Sequence, residues 1–357
     1  DHEVGWQGLC GCPRLASNEN KEGISMGKVA VLGVFVADCS FRADRAPDIG
    51  ETVLGKSFAL GPGGKGSNQA VAAARAGADV SFISKLGDDD FAAMARGIWA
   101  DAGVTPEITV DRAGYTGAAY IFVEDGTGNN AIIISPGVAA GITPEDVAAK
   151  ADVIAAAEVF MTQLEQPMEA ALAGLQIARD AGVRTILNPA PAAELTDGML
   201  ALSDLVTPNE SEAEALTGVP VMSAETAEAA GRALIAKGAG AAVLTLGENG
   251  ALYTDGAVVH QVAAIRAGDL METTGAGDAF NGGLAVALSE GADAVSAMRF
   301  GTATAAISVT RAGTAPSMPD RAEIDALVAE TFGSTVGVSP PAWPPRRWLL
   351  SGPRRKG

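Results

Sequence analysis

The sequence predicts an α/β protein, with a mostly parallel sheet covered by helices on both faces and a smaller patch of β-structure. Three observations carry this prediction. Lys28–Val36 is a continuous apolar run, which is typical of a strand buried on both faces of a parallel sheet. Strand-like and helix-like segments then alternate between residues 78 and 332. Two segments with only strand-like patterns, 50–60 and 116–135, lie outside that alternation.

The individual elements follow from apolar spacing and from the turn residues between them. Strands are predicted at 28–36, 78–84, 116–124, 130–135, 153–162, 185–187, 204–206 and 241–245, with short strands continuing to residue 262. Helices are predicted after the loop that begins at residue 61, at 90–102 and 167–181, after 207–212, and at 275–290, 293–310 and 320–332. The sequence Asp-Gly-Thr-Gly at 125–128 predicts a hairpin between two of these strands.

The segmentation predicts one main domain, from residue 27 to residue 333, with a small β lid at about 37–61 and 115–136. Residues 1–26 are interpreted as an N-terminal extension without the layout of a signal peptide, since Met26 could be the natural start. Residues 334–357 carry five basic residues and no acid. We expect both extensions to be disordered.

Composition and charge exclude several functional classes. The formal charge of −18 disfavours nucleic acid and anionic membranes as partners, and no apolar run has the ~20 residues that a membrane span needs. Three cysteines without a metal-ligand pattern predict a reducing, cytoplasmic compartment. The only histidines are His2 and His260, so acid–base chemistry is expected from carboxylates, lysine or cysteine unless His260 is central.

Two familiar nucleotide-binding patterns fail in this chain. Gly33 lacks the Gly-x-Gly-x-x-Gly continuation that a dinucleotide-binding strand requires. Residues 50–57 match the P-loop pattern, but a loop with Gly61 and Pro62 follows where the phosphate-binding helix should begin. We interpret this match as coincidental, on a short strand.

Two glycine-rich turns carry the chemistry instead. The first, at 61–66, leads into an alanine-rich helix, and Lys65 and Asn68 offer hydrogen-bond donors suited to a polyhydroxylated ligand. The second, at 273–277, opens a helix whose unpaired N–H groups attract anions. Asp278 within this second turn is either a capping residue or a base that takes a proton from a nucleophile attacking phosphate.

These motifs resemble the ribokinase-like (PfkB-type) carbohydrate kinase family, and within it the ribokinase branch. The two main signatures are Gly-Gly-Lys-Gly-Ser-Asn-Gln-Ala at 63–70 and Thr-Thr-Gly-Ala-Gly-Asp-Ala-Phe-Asn-Gly at 273–282. Shorter matches fall in the family's order at 163–165, 188–191, 207–214, 245–247 and 309–313.

The resemblance implies an ATP-dependent kinase that uses Mg²⁺ and a monovalent cation, usually K⁺, and that dimerises through the lid. It implies Asp278 as the base and Gly275, Ala276 and Gly277 as the anion hole. It implies sugar contacts from Asp38, Gly64, Lys65, Gly66, Asn68, Glu165 and Asp278. It implies nucleotide contacts from Asn209, Thr245, Gly247, Gly250, Gly277 and Thr302. It implies Glu212 at Mg²⁺ through water, and Glu272, Thr274, Ser308, Arg311, Gly313 and Ser317 at the monovalent cation.

The chain departs from the family pattern at two positions. Val36 stands where ribokinases have an asparagine that contacts the sugar, so the hydroxyl pattern recognised is open. Glu272 replaces the usual aspartate near the cation, which leaves potassium dependence open.

The function that the resemblance implies is transfer of the γ-phosphoryl group of ATP to a primary hydroxyl of a pentose or related sugar, such as D-ribose. The alternatives are a fructose- or tagatose-type sugar kinase, a nucleoside kinase, or a catalytically silent sugar sensor. Intact Asp278 and its glycine turn disfavour the sensor.

Overall fold

The computed structural model describes residues 26–196 and 198–333. The predictions made for residues 1–25 and for the tail 334–357 lie outside the described residues. Thirteen strands are described: β1 Lys28–Leu32, β2 Val36–Ala43, β3 Ser57–Gly63, β4 Asp79–Leu86, β5 Val104–Val110, β6 Thr116–Glu124, β7 Asn130–Gly137, β8 Val159–Thr162, β9 Arg184–Leu187, β10 Leu205–Val206, β11 Ala242–Thr245, β12 Ala251–Thr254 and β13 Val259–Val262.

Ten α-helices accompany these strands within the described residues. They are α1 Lys65–Arg75, α2 Asp90–Ala102, α3 Pro144–Ala148, α4 Ala151–Ala155, α5 Met168–Asp180, α6 Glu210–Thr217, α7 Ala224–Ala236, α8 Ala276–Ser289, α9 Ala294–Ser308 and α10 Arg321–Phe332.

The large sheet contains nine strands in the order β13-β12-β11-β10-β9-β8-β1-β4-β5. The seven strands from β11 to β5 are parallel, and β12 and β13 continue the sheet in antiparallel fashion. One buried cluster unites its first face with α1, α2, α8, α9 and α10. A second cluster unites the other face with α3, α4, α5, α6 and α7. The predicted three-layer α/β architecture is therefore confirmed.

The small sheet has the order β3-β2-β6-β7 and forms the predicted separate patch of β-structure. In it β2 pairs with β3 in antiparallel and with β6 in parallel fashion, and β7 closes the other edge. Since side chains alternate between the faces of a strand, Val36 and Asp38 share one face of β2, and Cys39 and Phe41 share the opposite face.

Three predicted elements are wrong in their extent. The apolar run 28–36 is divided between β1 and β2, because the chain leaves the large sheet at Gly33, where the backbone passes close to α1. Residues 153–155 belong to α4, which buries Ile154 in the core, so the strand begins only at Val159. Residues 50–56 form no strand. The strand β3, and not a helix, follows the P-loop-like match, which supports its rejection.

Candidate active site

Two glycines open the helices that meet at the site. Gly64 precedes α1 with φ 90°, and Gly275 precedes α8 with φ 81°, and neither offers a side chain to cap the helix. Elsewhere in the described chain such a cap is common, as with Asp89 before α2 and Asn209 before α6. Glycine adopts these positive φ values without strain, and it places no side-chain acceptor over the first turn, where a helix attracts anions. Two of these N–H groups have acceptors within the chain, since Lys65 N–H donates to Glu165 and Ala276 N–H donates to the Thr273 carbonyl.

Helices α1 and α8 pack unusually closely, which brings their first turns together. A Cβ at Gly282 would lie 2.5 Å from the Cβ of Ala72, and a Cβ at Gly283 would lie 2.3 Å from the Thr304 hydroxyl on α9. Each interior glycine costs a helix about 1 kcal/mol relative to alanine. Here these two glycines let α8 fit between α1 and α9.

Asp278 is the buried carboxylate at this junction, and it is only 7% exposed. Its Oδ2 accepts a hydrogen bond from Asn68 Nδ2 at 3.1 Å, and its Oδ1 accepts one from Gln69 Nε2 at 3.0 Å. Burial raises the pKa of Asp278, while the charge of Lys65 and the two amide hydrogen bonds lower it. A buried carboxylate held by two amides has a fixed orientation.

A group of polar side chains surrounds the start of α1 on the lid side. The Lys65 backbone N–H donates to Glu165 Oε2 at 2.7 Å, and burial raises the pKa of Glu165 to about 7. Burial also raises the pKa of Asp38 on β2 to about 6. Asn68 is buried, and its Oδ1 has no hydrogen-bond partner in the described residues. These acceptors suit a ligand that brings hydroxyl donors.

A cavity of about 460 Å³ lies on the other side of the α8 start. It is lined by Asn209, Glu210, Thr245, Gly247, Glu248, Gly250, Ala264, Ile265, Leu270, Thr273, Ala276, Gly277, Phe280, Thr302, Ala305, Ala306 and Val309. All six residues predicted for the nucleotide therefore line one cavity. A Cβ at Gly277 would meet no atom within 4 Å, so the turn faces open space there. The buried Thr302 hydroxyl also lacks a partner among the described residues.

The Asn-x-x-Glu segment forms a reciprocal cap at the start of α6. Asn209 Oδ1 accepts from the Glu212 backbone N–H at 2.9 Å, and Glu212 Oε2 accepts from the Asn209 backbone N–H at 2.9 Å. Burial raises the pKa of Glu212, with opposing effects from the Asn209 hydrogen bond and the charge of Lys65. Its carboxylate thus lies in the electrostatic range of Lys65 and Asp278.

The residues predicted for a monovalent cation are brought together only in part. Glu272 Oε2 accepts from the Gly313 backbone N–H at 2.8 Å, so these two loops touch. The Ser308 and Ser317 hydroxyls donate to the Ala305 and Thr314 carbonyls, and Thr274 is exposed. The Arg311 guanidinium pairs with Glu323 on α10. A cation between these loops would therefore be bound mainly by backbone carbonyls.

Acidic metal clusters and membrane-spanning helices are both lacking in the described part of the chain. Residues 26–196 and 198–333 contain no group of three or more His, Cys, Asp or Glu side chains placed to hold a metal ion. Within the same residues no helix is long and apolar enough to cross a bilayer.

Sequence reasoning missed part of the site. Gln69 contacts Asp278 directly, and Gln163 and Asn188 contact Gln69. The available signal was the position of Gln69 beside Asn68 in the first glycine-rich motif. Neighbouring residues on a helix point about 100° apart, so spacing alone does not predict that both would reach one carboxylate.

Comparison with known proteins decides the family. The model of the pfkB family carbohydrate kinases matches residues 26–321. The chain is 38% identical to the ribokinase of Haemophilus influenzae over 296 residues, which cover 83% of this chain and 96% of that protein. The chain belongs to the pfkB family of carbohydrate kinases.

Further relatives agree with this membership. A deoxyribokinase of Salmonella typhimurium is 36% identical over 82% of this chain and 95% of its own length. The structure of Arabidopsis thaliana ribokinase complexed with ribose and ATP superposes with a TM-score of 0.79 at 29% identity, covering 85% of this chain and 99% of that one. The resemblance predicted from the two glycine-rich signatures is thereby confirmed. The protein is a ribokinase-like phosphotransferase with an alcohol group as acceptor.

Proposed function

We propose that the protein transfers the γ-phosphoryl group of ATP to a primary hydroxyl of a pentose, with D-ribose giving D-ribose 5-phosphate. The main support for this proposal is the position of Asp278 between two groups of residues. On one side it contacts Asn68, next to the polar group of Asp38 and Glu165. On the other it follows Gly277, which lines the 460 Å³ cavity. The solved relative that contains ribose and ATP supports the same pair of ligands.

Asp278 acts as the base in this proposal. The sugar oxygen attacks the γ-phosphorus, the bond from phosphorus to the bridging oxygen of ADP breaks, and the hydroxyl proton passes to Asp278. The N–H groups of Gly275, Ala276 and Gly277 neutralise the charge of the moving group. Burial raises the pKa of Asp278, which makes its ionised carboxylate a stronger acceptor for the hydroxyl proton.

The sugar is held by Asp38, Gly64, Lys65, Gly66, Asn68 and Glu165. Ionised carboxylates accept hydrogen bonds from sugar hydroxyls, and the unpartnered Asn68 Oδ1 accepts another. Asn209, Thr245, Gly247, Gly250 and Thr302 contribute to the ATP site.

Metal ions complete the proposal. The buried carboxylate of Glu212 fits a hydrated Mg²⁺, since Mg²⁺ binds through one or two carboxylates plus water and substrate phosphates. When bound, the ion neutralises phosphate charge. Glu272, Thr274, Ser308, Arg311, Gly313 and Ser317 remain the proposed region for K⁺. The hydrogen bond from the Gly313 N–H to Glu272 supports a site where these two loops meet, whereas the pairing of Arg311 with Glu323 supports only a backbone role for Arg311.

A homodimer through the lid is part of the same proposal. The exposed side chains Phe41, Phe58, Leu60, Tyr120 and Ile133 lie on one face of the small sheet, which we name the outer lid face. Phe41 contacts the rings of Phe58 and Tyr120 at centroid distances of 4.9 and 5.7 Å. An apolar face of this kind supports association with a second copy.

We further propose that residues 27–333 form the catalytic domain, with the lid at 37–61 and 115–136. We also propose that the protein is cytoplasmic.

A second candidate substrate is 2-deoxyribose. Val36 is buried and lies on the same face of β2 as Asp38, so it presents an apolar group beside the proposed sugar site. An apolar side chain favours a ligand that lacks a hydroxyl at that point. The relative named deoxyribokinase supports this possibility.

A coupled ADP-release assay over a panel of sugars and nucleosides tests the proposal. Ribose, 2-deoxyribose, fructose, tagatose and adenosine are compared with and without K⁺. We expect the highest kcat/KM for a pentose. Val36→Asn should shift the preference toward ribose if Val36 faces the sugar, and an unchanged preference removes Val36 from the site. Sugar binding without any turnover would favour the sensor instead.

A further inference from the structure

A connected row of buried amide and hydroxyl side chains lies beneath the site. Its members are at most 6% exposed: Gln69, Gln163, Asn188, Thr207 and Asn281. Gln163, Asn188 and Thr207 each follow directly after the last residue of β8, β9 and β10. Because these three strands are adjacent and parallel, the three side chains line up along one edge of the sheet.

Gln69 is the branch point of this row. Its Oε1 accepts a hydrogen bond from Gln163 Nε2. Its Nε2 donates to Asp278 Oδ1 and to Asn188 Oδ1, both at 3.0 Å. Asn188 Nδ2 in turn donates to the Thr207 carbonyl at 2.9 Å. Every polar atom of the Gln69 amide is therefore used.

The direction of each hydrogen bond is fixed by groups that cannot be reversed. An ionised carboxylate and a backbone carbonyl only accept. The Thr207 carbonyl thus requires Asn188 to present its nitrogen there, and its oxygen to Gln69. Asp278 likewise requires the Gln69 nitrogen. A flipped Gln69 amide would place oxygen against both acceptors and would lose both bonds.

A second arm of the row reaches the anion hole. The Thr207 hydroxyl donates to Asn281 Oδ1 at 2.6 Å, and Asn281 Nδ2 donates to the Gly277 carbonyl at 2.8 Å. The same buried row therefore contacts the carboxylate of Asp278 and the peptide that precedes it.

We propose that Gln69 is a positioning residue for phosphoryl transfer, whose amide, held by Gln163 and Asn188, orients the Asp278 carboxylate and favours its ionised form. This inference rests on the proposed role of Asp278 as the base. A base must point one oxygen at the reacting hydroxyl, and small errors of placement cost rate. Gln69 binds Oδ1 while Asn68 binds Oδ2, so the carboxylate cannot rotate without breaking a buried hydrogen bond.

The charges that face Asp278 come from several elements. Lys65 at the start of α1 lowers its pKa, and Glu165 after β8 and Glu212 on α6 interact with it as like charges. Against burial and these carboxylates, the Gln69 and Asn68 amides favour ionisation. Removal of the Gln69 amide should therefore raise the pKa of Asp278 and leave less ionised base at neutral pH.

The test is Gln69→Met, which keeps the length of the side chain and removes its donors. We expect kcat at pH 7 to fall about tenfold and the acidic limb of the kcat–pH profile to move up by about one pH unit or more. The KM for ATP should stay within about twofold, since Gln69 is not among the residues that line the nucleotide cavity. The matched control is Gln176→Met, because Gln176 also donates its amide to an aspartate, Asp180, but on the exposed surface of α5.

Two further measurements decide the matter if Gln69→Met fails to fold. Gln163→Met removes only the bond that fixes the Gln69 amide and should move the acidic limb in the same direction by a smaller amount. In the unaltered protein, the side-chain amide resonance of Gln69 should titrate together with that limb. An unmoved limb in a folded variant, or a Gln69 resonance that ignores pH across the limb, overturns the proposal.

Asp278→Asn separates this inference from the function on which it rests. Near-normal turnover in Asp278→Asn would reject Asp278 as the base, and the role of Gln69 would be rejected with it. Loss of turnover in Asp278→Asn together with an unshifted profile in Gln69→Met rejects only the positioning role.

Discussion

The edge of the large sheet and the small sheet both face the proposed sugar site, but they hold their carboxylates differently. Asp278 beside the large sheet is buried and accepts hydrogen bonds from two amides of α1. Asp38 on the small sheet is only half-buried. The side of the large sheet thus has the fixed geometry that chemistry requires, while the small sheet presents a more open surface to the ligand.

The two sheets also differ in how their apolar side chains are covered. Strands such as β8 and β9 are buried between helices on both faces. In the small sheet, by contrast, Phe58 is 57% exposed and Ile133 is 68% exposed. The strands of the large sheet are therefore covered by helices of the same chain, whereas the outer lid face leaves apolar surface for the second copy of the proposed dimer.

The largest expected effect on turnover is at Asp278, beside the large sheet. Asp278→Asn should lower kcat by about 10²- to 10⁴-fold, because the amide cannot take the proton of the attacking hydroxyl. Sugar and ATP affinities should change little, as measured by calorimetry. The control is Asp180→Asn on the surface of α5, which should keep normal turnover. If Asp278→Asn kept the wild-type kcat, the fixed carboxylate beside the large sheet would not be the base, and its contrast with Asp38 on the small sheet would have no catalytic meaning.

The next effect concerns the outer lid face. Phe41→Asp places a charge among Phe58 and Tyr120, and burying that charge in an interface is costly. We expect the mass measured by light scattering to fall from dimer to monomer. Met222→Asp is the control, since Met222 is 86% exposed but lies outside the lid. A dimer that survives Phe41→Asp would place the interface elsewhere.

A third prediction uses the buried acid Glu165, which contacts the start of α1. Its pKa of about 7 lies above the usual glutamate value of 4.5, so the folded protein binds more protons than the unfolded chain between these two pH values. Stability should therefore decrease as the pH rises from about 4.5 to 7.

Glu165→Gln should reduce this loss, and thermal melts at pH 5 and pH 8 measure it. Each kcal/mol regained corresponds to roughly 2–4 °C. The same exchange at exposed Glu214 on α6 is the control for the substitution itself. If Glu165→Gln lost as much stability as the wild type, or more, between pH 5 and pH 8, the raised pKa of Glu165 would not be the cause of the loss. In the wild type, kcat/KM for the sugar should rise with pH through about 7, as Glu165 ionises.

The smallest effect on kinetics is expected at Thr314, which connects the small sheet to the turn before α8. The Thr314 hydroxyl donates to the Pro62 carbonyl at the end of β3, at 2.7 Å, and Thr314 also packs beside Gly275. Thr314→Val removes one buried hydrogen bond worth about 1 kcal/mol and should raise the sugar KM a few-fold. Thr310→Val removes a hydroxyl that bonds locally to Ile307 and is the control. Identical kinetics in both variants would show that this contact does not link lid and anion hole.

Much of the fold could be predicted from local signals. Periodicity and caps predicted α2, α5, α8, α9 and α10 to within about two residues at each end, since these helices begin at recognisable residues such as Asp293 and Asp320. The strand β5 was missed, because Val104–Val110 contains a proline and mixed polarity that do not stand out as a strand.

The site could be predicted as a set of motifs but not as a geometry. The glycines in the turns at 61–66 and 273–277 indicate helix starts without a capping side chain, and such helix starts bind anions. The partners of Asp278 could not be predicted, since Gln69 and Gln163 lie 209 and 94 residues from the residues they contact, Asp278 and Gln69. Such contacts depend on strand order.

The sequence by itself determined the family, the α/β class and the two glycine-rich turns, because each depends on residues close together in the chain. Only the tertiary structure decided that the apolar run 28–36 divides between two sheets and that Gln69 reaches Asp278. It also decided that Arg311 pairs with Glu323. The physical reason is that side-chain hydrogen bonds and close helix packing are set by which elements become neighbours, and local sequence patterns do not determine that choice.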